Sequence, residues 1–264
     1  MCPEFELFGL SMPTYGALSF AGFWLCIVLS FALIRHRRIN GAHFLYTTIV
    51  AMAGLFLCSH LLYGLTRIED LVALVKDYPN YNSFDDFMVD VSDCFMGMVF
   101  YGGLYGMLIF SVLFAKKKRY HVREITDVYA VVIPLFHAFG RVGCFFAGCC
   151  YGVRWQYGIS GRVIVADVKE HARRLPVQLI EASLLLILFA VILLLFAKNK
   201  LRHNLLFVYL YVYAVLRFVL EFFRGDKIRG IFLALSTSQW ISIITIVWVS
   251  VYLILRYKKN KSKT

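Results

Sequence analysis

Long runs of apolar residues, separated by short polar segments, make up most of this chain. Seven of these runs are each about 18 to 22 residues long, the length that an α-helix needs to cross the ~30 Å hydrocarbon core of a bilayer. They predict membrane-spanning helices at residues 15–34, 44–65, 95–115, 128–146, 179–197, 205–223 and 240–257. The pattern favours an all-α, polytopic membrane protein with about seven transmembrane helices.

The composition agrees with a membrane protein and argues against a soluble one. The 264 residues are 60% hydrophobic and 17% charged, which gives more apolar surface than a soluble chain of this length can bury. Two longer outward connections, residues 66–94 and 152–178, are too short to fold independently. We expect one integral membrane domain over residues 1–264, with these two extracytoplasmic loops and a basic cytoplasmic tail at residues 256–264.

The basic residues indicate the orientation. Four clusters of lysine and arginine fall on one side of the predicted spans, at residues 35–38, 116–123, 198–202 and 256–263. By the positive-inside rule this side is cytoplasmic, so the N-terminus is predicted outside and the C-terminus inside. This asymmetry, together with contact with anionic lipid headgroups, accounts for the formal net charge of +12 and requires no nucleic-acid partner.

Polar side chains inside the predicted spans share one depth. Arg141 and Arg217 lie roughly 18 to 20 Å above the cytoplasmic ends of their helices, at ~1.5 Å per residue. Tyr101, His60 and Glu181 fall in the same outer half of three other spans. Because a charge in a span is costly and usually marks a binding or transport path, we expect a site for a lipid headgroup drawn from the outer leaflet.

A polar stripe follows one face of the sixth span. Tyr213, Arg217, Glu221 and Arg224 recur at spacings of four, four and three residues. An Arg217–Glu221 pair that only neutralises itself is one interpretation of this stripe. The other is that Arg217 converges with Arg141 on a phosphate, which guanidinium groups bind in a bidentate geometry.

Five motifs resemble those of the prolipoprotein diacylglyceryl transferase family, seven-helix enzymes of bacterial cytoplasmic membranes. They occur in the family's order over most of the chain. Tyr15-Gly16 lies on the first span. Phe100-Tyr-Gly-Gly-Leu-Tyr-Gly106 is similar to His-Gly-Gly-Leu-Ile-Gly, and Gly140-Arg-Val-Gly-Cys-Phe to Gly-Arg-Ile-Gly-Asn-Phe. Arg174-Leu-Pro-Val-Gln-Leu-Ile-Glu181 resembles Arg-His-Pro-Ser-Gln-Leu-Tyr-Glu, and Leu216-Arg-Phe-Val-Leu-Glu-Phe-Phe-Arg224 resembles Phe-Arg-Ile-Ile-Val-Glu-Phe-Phe-Arg; the short Ser238-Gln239 also fits.

The resemblance implies transfer of a diacylglyceryl group from phosphatidylglycerol to the lipobox cysteine thiol of a preprolipoprotein, with release of glycerol phosphate. It implies a monomeric, multi-pass protein of the bacterial cytoplasmic membrane, with no metal and no organic cofactor. The residues expected to be catalytic are Arg141, Arg217, Tyr101 and His137. Those expected to bind substrate are Tyr15, His60, Gly102, Gly103, Gly140, Gly143, Cys144, Glu181, Tyr213, Glu221 and Arg224.

The chain departs from the family pattern at residues that are expected to take part in the reaction. Tyr101 stands where the family has a histidine, so the proton acceptor is open between Tyr101, His137 and His60, and each histidine could instead be a buried imidazole bonded to a backbone carbonyl. Cys144 replaces an asparagine. Alternative functions are therefore transfer to another acceptor, or phospholipid binding or transport without catalysis.

Seven cysteines raise the question of a metal or redox site. Cys144, Cys149 and Cys150 lack the paired C-x-x-C spacing that is typical of zinc sites. The interpretation favoured here is that they are small apolar side chains. A disulfide to Cys94, or a thiol that carries an acyl or glyceryl group, remains the alternative.

Overall fold

A computed structural model describes residues 4–7, 10–81, 83–165, 168–225, 231–233 and 235–261. These ranges contain nine α-helices, seven of which coincide with the predicted apolar runs. The helices are α1 Thr14–His36, α2 Gly41–Thr66, α3 Ile68–Asp77, α4 Phe84–Asp93, α5 Phe100–Lys117, α6 Val122–Ala147, α7 Val177–Ala197, α8 Leu205–Glu221 and α9 Thr237–Lys261.

Five helices of the described residues are long and apolar enough to cross a membrane: α1, α2, α6, α7 and α9. Of the other two predicted spans, α5 has 18 residues and ends in two lysines, and α8 has 17 residues. A multi-pass membrane protein is therefore supported by length and composition. Seven spans and the orientation of the termini stay predictions.

The connections contain structure that the all-α prediction did not include. Three antiparallel hairpins are present in the described residues: β1 Glu4–Leu7 with β2 Leu10–Pro13, β3 Arg154–Val165 with β4 Val168–Arg174, and β5 Ile231–Phe232 with β6 Leu235–Ser236. The connection at residues 66–94 holds α3, a 3₁₀ turn and α4, and neither helix has a buried residue. The fold is mostly helical, with short hairpins outside the apolar runs.

The Cα positions group into two compact units, so the single domain that we expect over residues 1–264 stays a prediction. The unit Arg38–Ile125 is built on close packing of α2 against α5. A Cβ added at Gly54 would lie 2.6 Å from the carbonyl oxygen of Gly106, and one at Gly102 would lie 2.5 Å from that of Cys58. Small residues allow this approach, as is typical of helix pairs in membranes.

The other unit comprises Met1–Arg37 and Thr126–Thr264. An ion pair that we call the capping pair, Arg37 and Asp127, joins α1 to α6 at 3.0 Å and is buried on both sides. Asp127 also accepts hydrogen bonds from the backbone N–H groups of His203 at 2.7 Å and Leu205 at 3.2 Å. Because Leu205 begins α8, this carboxylate caps the helix that carries Arg217.

Candidate functional site

Four buried charged side chains from α6, α7 and α8 meet in the second of these units. Glu181 Oε2 lies 3.0 Å from Nε of Arg141 and 3.5 Å from Nη1 of Arg217. Arg217 Nη2 in turn lies 2.8 Å from Oε2 of Glu221. All four residues are less than 9% exposed. We call Arg141, Glu181, Arg217 and Glu221 the arginine–glutamate cluster.

The sequence of α8 explains half of this arrangement. Arg217 and Glu221 are four residues apart, so the helix places them on one face. Arg224 Nη1, just beyond the helix end, lies 3.9 Å from the same Glu221 oxygen, and its backbone is bridged to Gly152. The self-neutralising pair considered from the sequence thus exists, but it does not account for the contact between Arg217 and Glu181 on α7.

The contacts inside the cluster are electrostatic and leave hydrogen-bonding capacity unused. Glu181 Oε1, Arg141 Nε and Arg217 Nη1 are buried and have no hydrogen-bond partner among the described residues. Such buried polar atoms are rare in folded proteins and call for an explanation. Arg224 adds a third guanidinium group near Glu221. The arrangement suits an anion with several acceptor oxygens, such as a phosphate diester.

Two further predicted residues border the cluster. His137 lies one helical turn before Arg141; its Nε2 is 3.8 Å from Glu181 Oε1, and its ring makes an edge contact with Tyr213 at a centroid distance of 5.2 Å. Both side chains are buried. Tyr213 also stacks on Tyr209, which lies one helical turn earlier in α8. An imidazole and a phenol are therefore held beside the charged groups.

The glycines of the Gly140-Arg-Val-Gly motif have different surroundings. A Cβ at Gly143 would lie 2.8 Å from Cδ2 of Tyr15, so this glycine permits α1 to approach α6 and places Tyr15, another predicted residue, against that helix. A Cβ at Gly140 would meet no atom of the described residues within 4 Å. Space is thus available one residue before Arg141.

Cys144, another predicted residue, is half-buried in the last turn of α6, and its sulfur lies within 4.8 Å of those of Cys149 and Cys150.

The other four predicted residues lie in the Arg38–Ile125 unit and are described separately from the cluster. Tyr101 on α5 is 3% exposed and stacks on Tyr105, and Gly102 and Gly103 adjoin α2. His60 on α2 donates from Nδ1 to the carbonyl oxygen of Phe95 at 2.7 Å, the contact that a structural histidine makes. Roles for these residues in binding or catalysis stay predictions.

Two polar residues at the site were absent from the predicted site residues. Arg217 Nη2 donates to Oγ of Ser238 at 3.5 Å, and the buried Gln178 donates from Nε2 to the carbonyl oxygen of Cys149 at 2.7 Å. Both lie in motifs already noted, Arg174–Glu181 and Ser238-Gln239. The signal was present in the sequence, but nothing in the pattern alone distinguished a positioning residue from a packing one.

Comparison with known proteins identifies the family. The model of the prolipoprotein diacylglyceryl transferase family matches residues 4–255. The chain belongs to this family. It is similar to the phosphatidylglycerol–prolipoprotein diacylglyceryl transferase of Clostridium tetani, with 32% identity over 261 residues that cover 97% of this chain and 98% of the relative. It is also similar to transferase 2 of Clostridium perfringens, at 29% identity over 98% of this chain and 94% of the relative.

The similarity extends beyond these two proteins. The transferase of the same name from Campylobacter hominis is 27% identical over 92% of this chain and 86% of its own length. The matched region includes both arginines of the arginine–glutamate cluster. The family predicted from the five motifs is confirmed, and with it the classification as a transferase.

Proposed function

We propose that this protein transfers the diacylglyceryl group of phosphatidylglycerol to the thiol of a lipobox cysteine in a preprolipoprotein, and releases glycerol phosphate. It acts as a monomer with seven spans in the bacterial cytoplasmic membrane, with its N-terminus outside and its C-terminus inside. The proposal is supported by full-length similarity to transferases of that name. The observation that carries it is the convergence of Arg141 and Arg217 on Glu181, with buried guanidinium nitrogens that have no hydrogen-bond partner among the described residues.

Arg141 and Arg217 bind the phosphate of the lipid. The bond that must break joins the diacylglyceryl carbon to a phosphate oxygen, so negative charge grows on that oxygen in the transition state. Two buried guanidinium groups held on different helices stabilise this charge with little reorganisation. Glu221 and Ser238 position Arg217 from two sides.

Glu181 has two tasks in this scheme. Its Oε2 lies within 3.5 Å of both arginines and keeps the two guanidinium groups close together. Its Oε1 has no hydrogen-bond partner among the described residues and can accept a hydrogen bond from a hydroxyl of the glycerol headgroup. A headgroup with a hydroxyl and a phosphate would thus satisfy both sides of the cluster. The thiol must also lose its proton before it attacks, and the acceptor stays open between Tyr101, His137 and His60.

A mass-shift assay tests the proposal. Purified protein in detergent is incubated with phosphatidylglycerol and a lipobox peptide, and the peptide is analysed by mass spectrometry. We expect addition of one diacylglyceryl group to the peptide thiol and release of glycerol phosphate. Arg141→Ala should abolish the addition because the phosphate loses one of its two binding groups.

The matched control is Arg67→Ala, which removes an exposed arginine that pairs with Asp70 on the surface. This variant should transfer at the wild-type rate. Release of glycerol phosphate with modification of another added thiol or amine would contradict the peptide acceptor. Intact lipid binding without any product would contradict catalysis and favour the binding or transport alternative.

A further inference from the structure

A groove runs between α8 and α9, where α8 begins and α9 ends. Phe207 on α8 stacks on Tyr252 on α9 at a centroid distance of 4.3 Å, and this contact joins the two helices. Beside it the helices line a cavity of about 390 Å³, within the ~300–1,000 Å³ that is typical of small-molecule sites. Asn204, at one end of the cavity, lies roughly 20 Å along α8 from Arg217. The groove is therefore separate from the arginine–glutamate cluster.

The walls of the groove are apolar and partly open to the surroundings. Most of the lining is formed by Leu201, Phe207, Val208, Tyr211, Val212 and Leu253. Leu201, Tyr211 and Leu253 are exposed, so the groove opens on the outer side of the helix pair. From Asn204 to Val212 it follows α8 for about 12 Å, close to the ~15 Å that one leaflet contributes to the hydrocarbon core of a bilayer. This lining and length fit one acyl chain.

A cation closes one end of the groove. Arg256 Nη1 donates to Oδ1 of Asn204 and, at 3.5 Å, to the carbonyl oxygen of His203. Both acceptors are neutral, and the nearby carboxylate of Asp127 is paired with Arg37 instead. Among the described residues nothing bonds to Nε and Nη2 of Arg256, so these two groups can donate to a phosphate in a bidentate geometry.

The surroundings of Arg256 are also basic. Lys198, Lys200 and Arg202 precede α8, Lys258 follows Arg256, and all four side chains are exposed. By the positive-inside rule this end of the helices faces the cytoplasmic leaflet, whose anionic lipids attract basic residues. An acyl-chain groove that ends among such side chains fits an anionic phospholipid better than a zwitterionic one.

The connection before α8 is shaped to form this polar end. Asn199, Leu201 and His203 have left-handed backbones, with φ of 53°, 52° and 69°. Residues other than glycine rarely adopt this conformation, and it persists where the surroundings impose it. Leu201 lines the groove and His203 supplies a carbonyl oxygen to Arg256. The unusual backbone is thus part of the groove itself.

We propose that the α8–α9 groove binds one anionic phospholipid of the cytoplasmic leaflet, with an acyl chain along α8 and the phosphate at Arg256. The site is distinct from the arginine–glutamate cluster and does not depend on the transfer reaction. A lipid in the groove contacts both α8, which carries Arg217, and α9, whose Ser238 accepts a hydrogen bond from Arg217. It therefore stabilises the helix pair that positions this arginine.

Photolabelling tests the proposal. The full-length protein is placed in phosphatidylcholine nanodiscs with a trace of phosphatidylserine that carries a photoreactive group on one acyl chain, and labelled peptides are mapped by mass spectrometry. Phosphatidylserine is anionic but lacks the glycerol headgroup of the proposed substrate. We expect labels within residues 207–212 and 248–256, about fivefold more than from a phosphatidylcholine probe, the effect expected of one basic residue near the membrane surface.

Two variants test the two ends of the lipid. Arg256→Ala should remove the preference for the anionic probe, whereas the matched control Lys198→Ala, which removes an exposed lysine outside the groove, should keep it. Val208→Phe fills the groove and should lower labelling by either probe, and it provides a second test if Arg256→Ala does not fold. Size-exclusion chromatography and thermal unfolding show whether each variant is folded.

Three outcomes would overturn the proposal. Equal labelling by the two probes would show ordinary boundary lipid without a selective site. Labels confined to the surroundings of Arg141 and Arg217 would show that the anionic lipid reaches only the arginine–glutamate cluster. Cross-links from a second copy of the chain to residues 207–212 would assign the groove to a helix instead of a lipid. Because no peptide substrate is present, each result is independent of whether the protein transfers a diacylglyceryl group.

Discussion

The capping pair and the arginine–glutamate cluster both consist of buried, oppositely charged side chains in the same unit, but their hydrogen bonding differs. In the capping pair, both oxygens of Asp127 accept hydrogen bonds: Oδ2 from Arg37 and His203, and Oδ1 from Leu205. In the arginine–glutamate cluster, Glu181 Oε1 has no such partner among the described residues, and Oε2 has only ion-pair contacts. Both oxygens of the first carboxylate, Asp127, are therefore used in hydrogen bonds within the protein. The second retains capacity for a ligand.

The hydrogen bonds of a buried charged group thus help to separate a structural role from a functional one in a membrane protein. Arg37 also donates a hydrogen bond to the carbonyl oxygen of Phe196, and its Cζ lies 3.8 Å from the centroid of the Phe196 ring. Burial alone does not distinguish the two groups, since all of these side chains are nearly inaccessible. What distinguishes them is whether both oxygens of the carboxylate accept hydrogen bonds from described residues.

The largest expected effect is on stability, at the capping pair. Asp127→Ala would leave the Arg37 guanidinium buried without its carboxylate and remove the acceptor of two backbone N–H groups. We expect a loss of about 3 to 5 kcal/mol in the free energy of unfolding. Thermal unfolding in detergent measures it, while transfer per folded molecule should stay unchanged. An unchanged melting temperature would show that the pair is not structural.

The second-largest expected effect is on the rate of transfer, for a substitution in the arginine–glutamate cluster. Arg217→Lys keeps the positive charge but loses the planar fork that faces Glu181, Glu221 and Ser238. We expect the rate of transfer to fall by about 10²–10³, comparable to removal of one preorganised donor, with a small change in melting temperature. If the variant instead melts early and keeps its specific activity, the cluster is structural, like the capping pair.

These two regions also differ in how far the sequence predicted them. Arg141, Arg217 and Glu181 were identified because a charge in an apolar run is unusual, and helical periodicity placed Glu221 beside Arg217. Arg37 and Asp127 lie at the ends of predicted spans, where charge is ordinary, so Arg37 contributed only to the orientation argument and Asp127 was not singled out. Their pairing joins residues 90 positions apart, and periodicity within one helix carries no information about it.

The same limit applies to the fold. Hydropathy located the helices α1, α2, α7 and α8 closely, because apolar length is a strong signal. It did not predict the hairpin of β3 and β4, since strands outside the bilayer need only short alternating stretches and turns. The convergence of three cysteines after α6 was missed for a related reason: it depends on left-handed backbone at Gly148 and Cys150, which apolar patterning does not encode.

A smaller effect is expected from Glu181→Gln. The amide keeps the shape and one acceptor oxygen but removes the charge that draws Arg141 and Arg217 together. We expect kcat/KM for phosphatidylglycerol to fall about tenfold, which corresponds to about 1.4 kcal/mol. If Glu181 accepts a headgroup hydroxyl, the preference for phosphatidylglycerol over a lipid without that hydroxyl should also fall. A preference that survives intact would limit Glu181 to positioning the arginines.

The smallest effect is expected at an exposed ion pair, which sets the baseline for both buried groups. Arg67 Nε and Asp70 Oδ2 are only 2.7 Å apart, closer than any contact in the arginine–glutamate cluster, yet both side chains are largely exposed. Water screens such a pair and solvates either partner alone. Asp70→Ala should therefore change neither the melting temperature nor the transfer rate measurably. A clear loss at this position would mean that distance, and not burial, governs the contribution of these ion pairs, and it would remove the basis for treating the cluster as a ligand site.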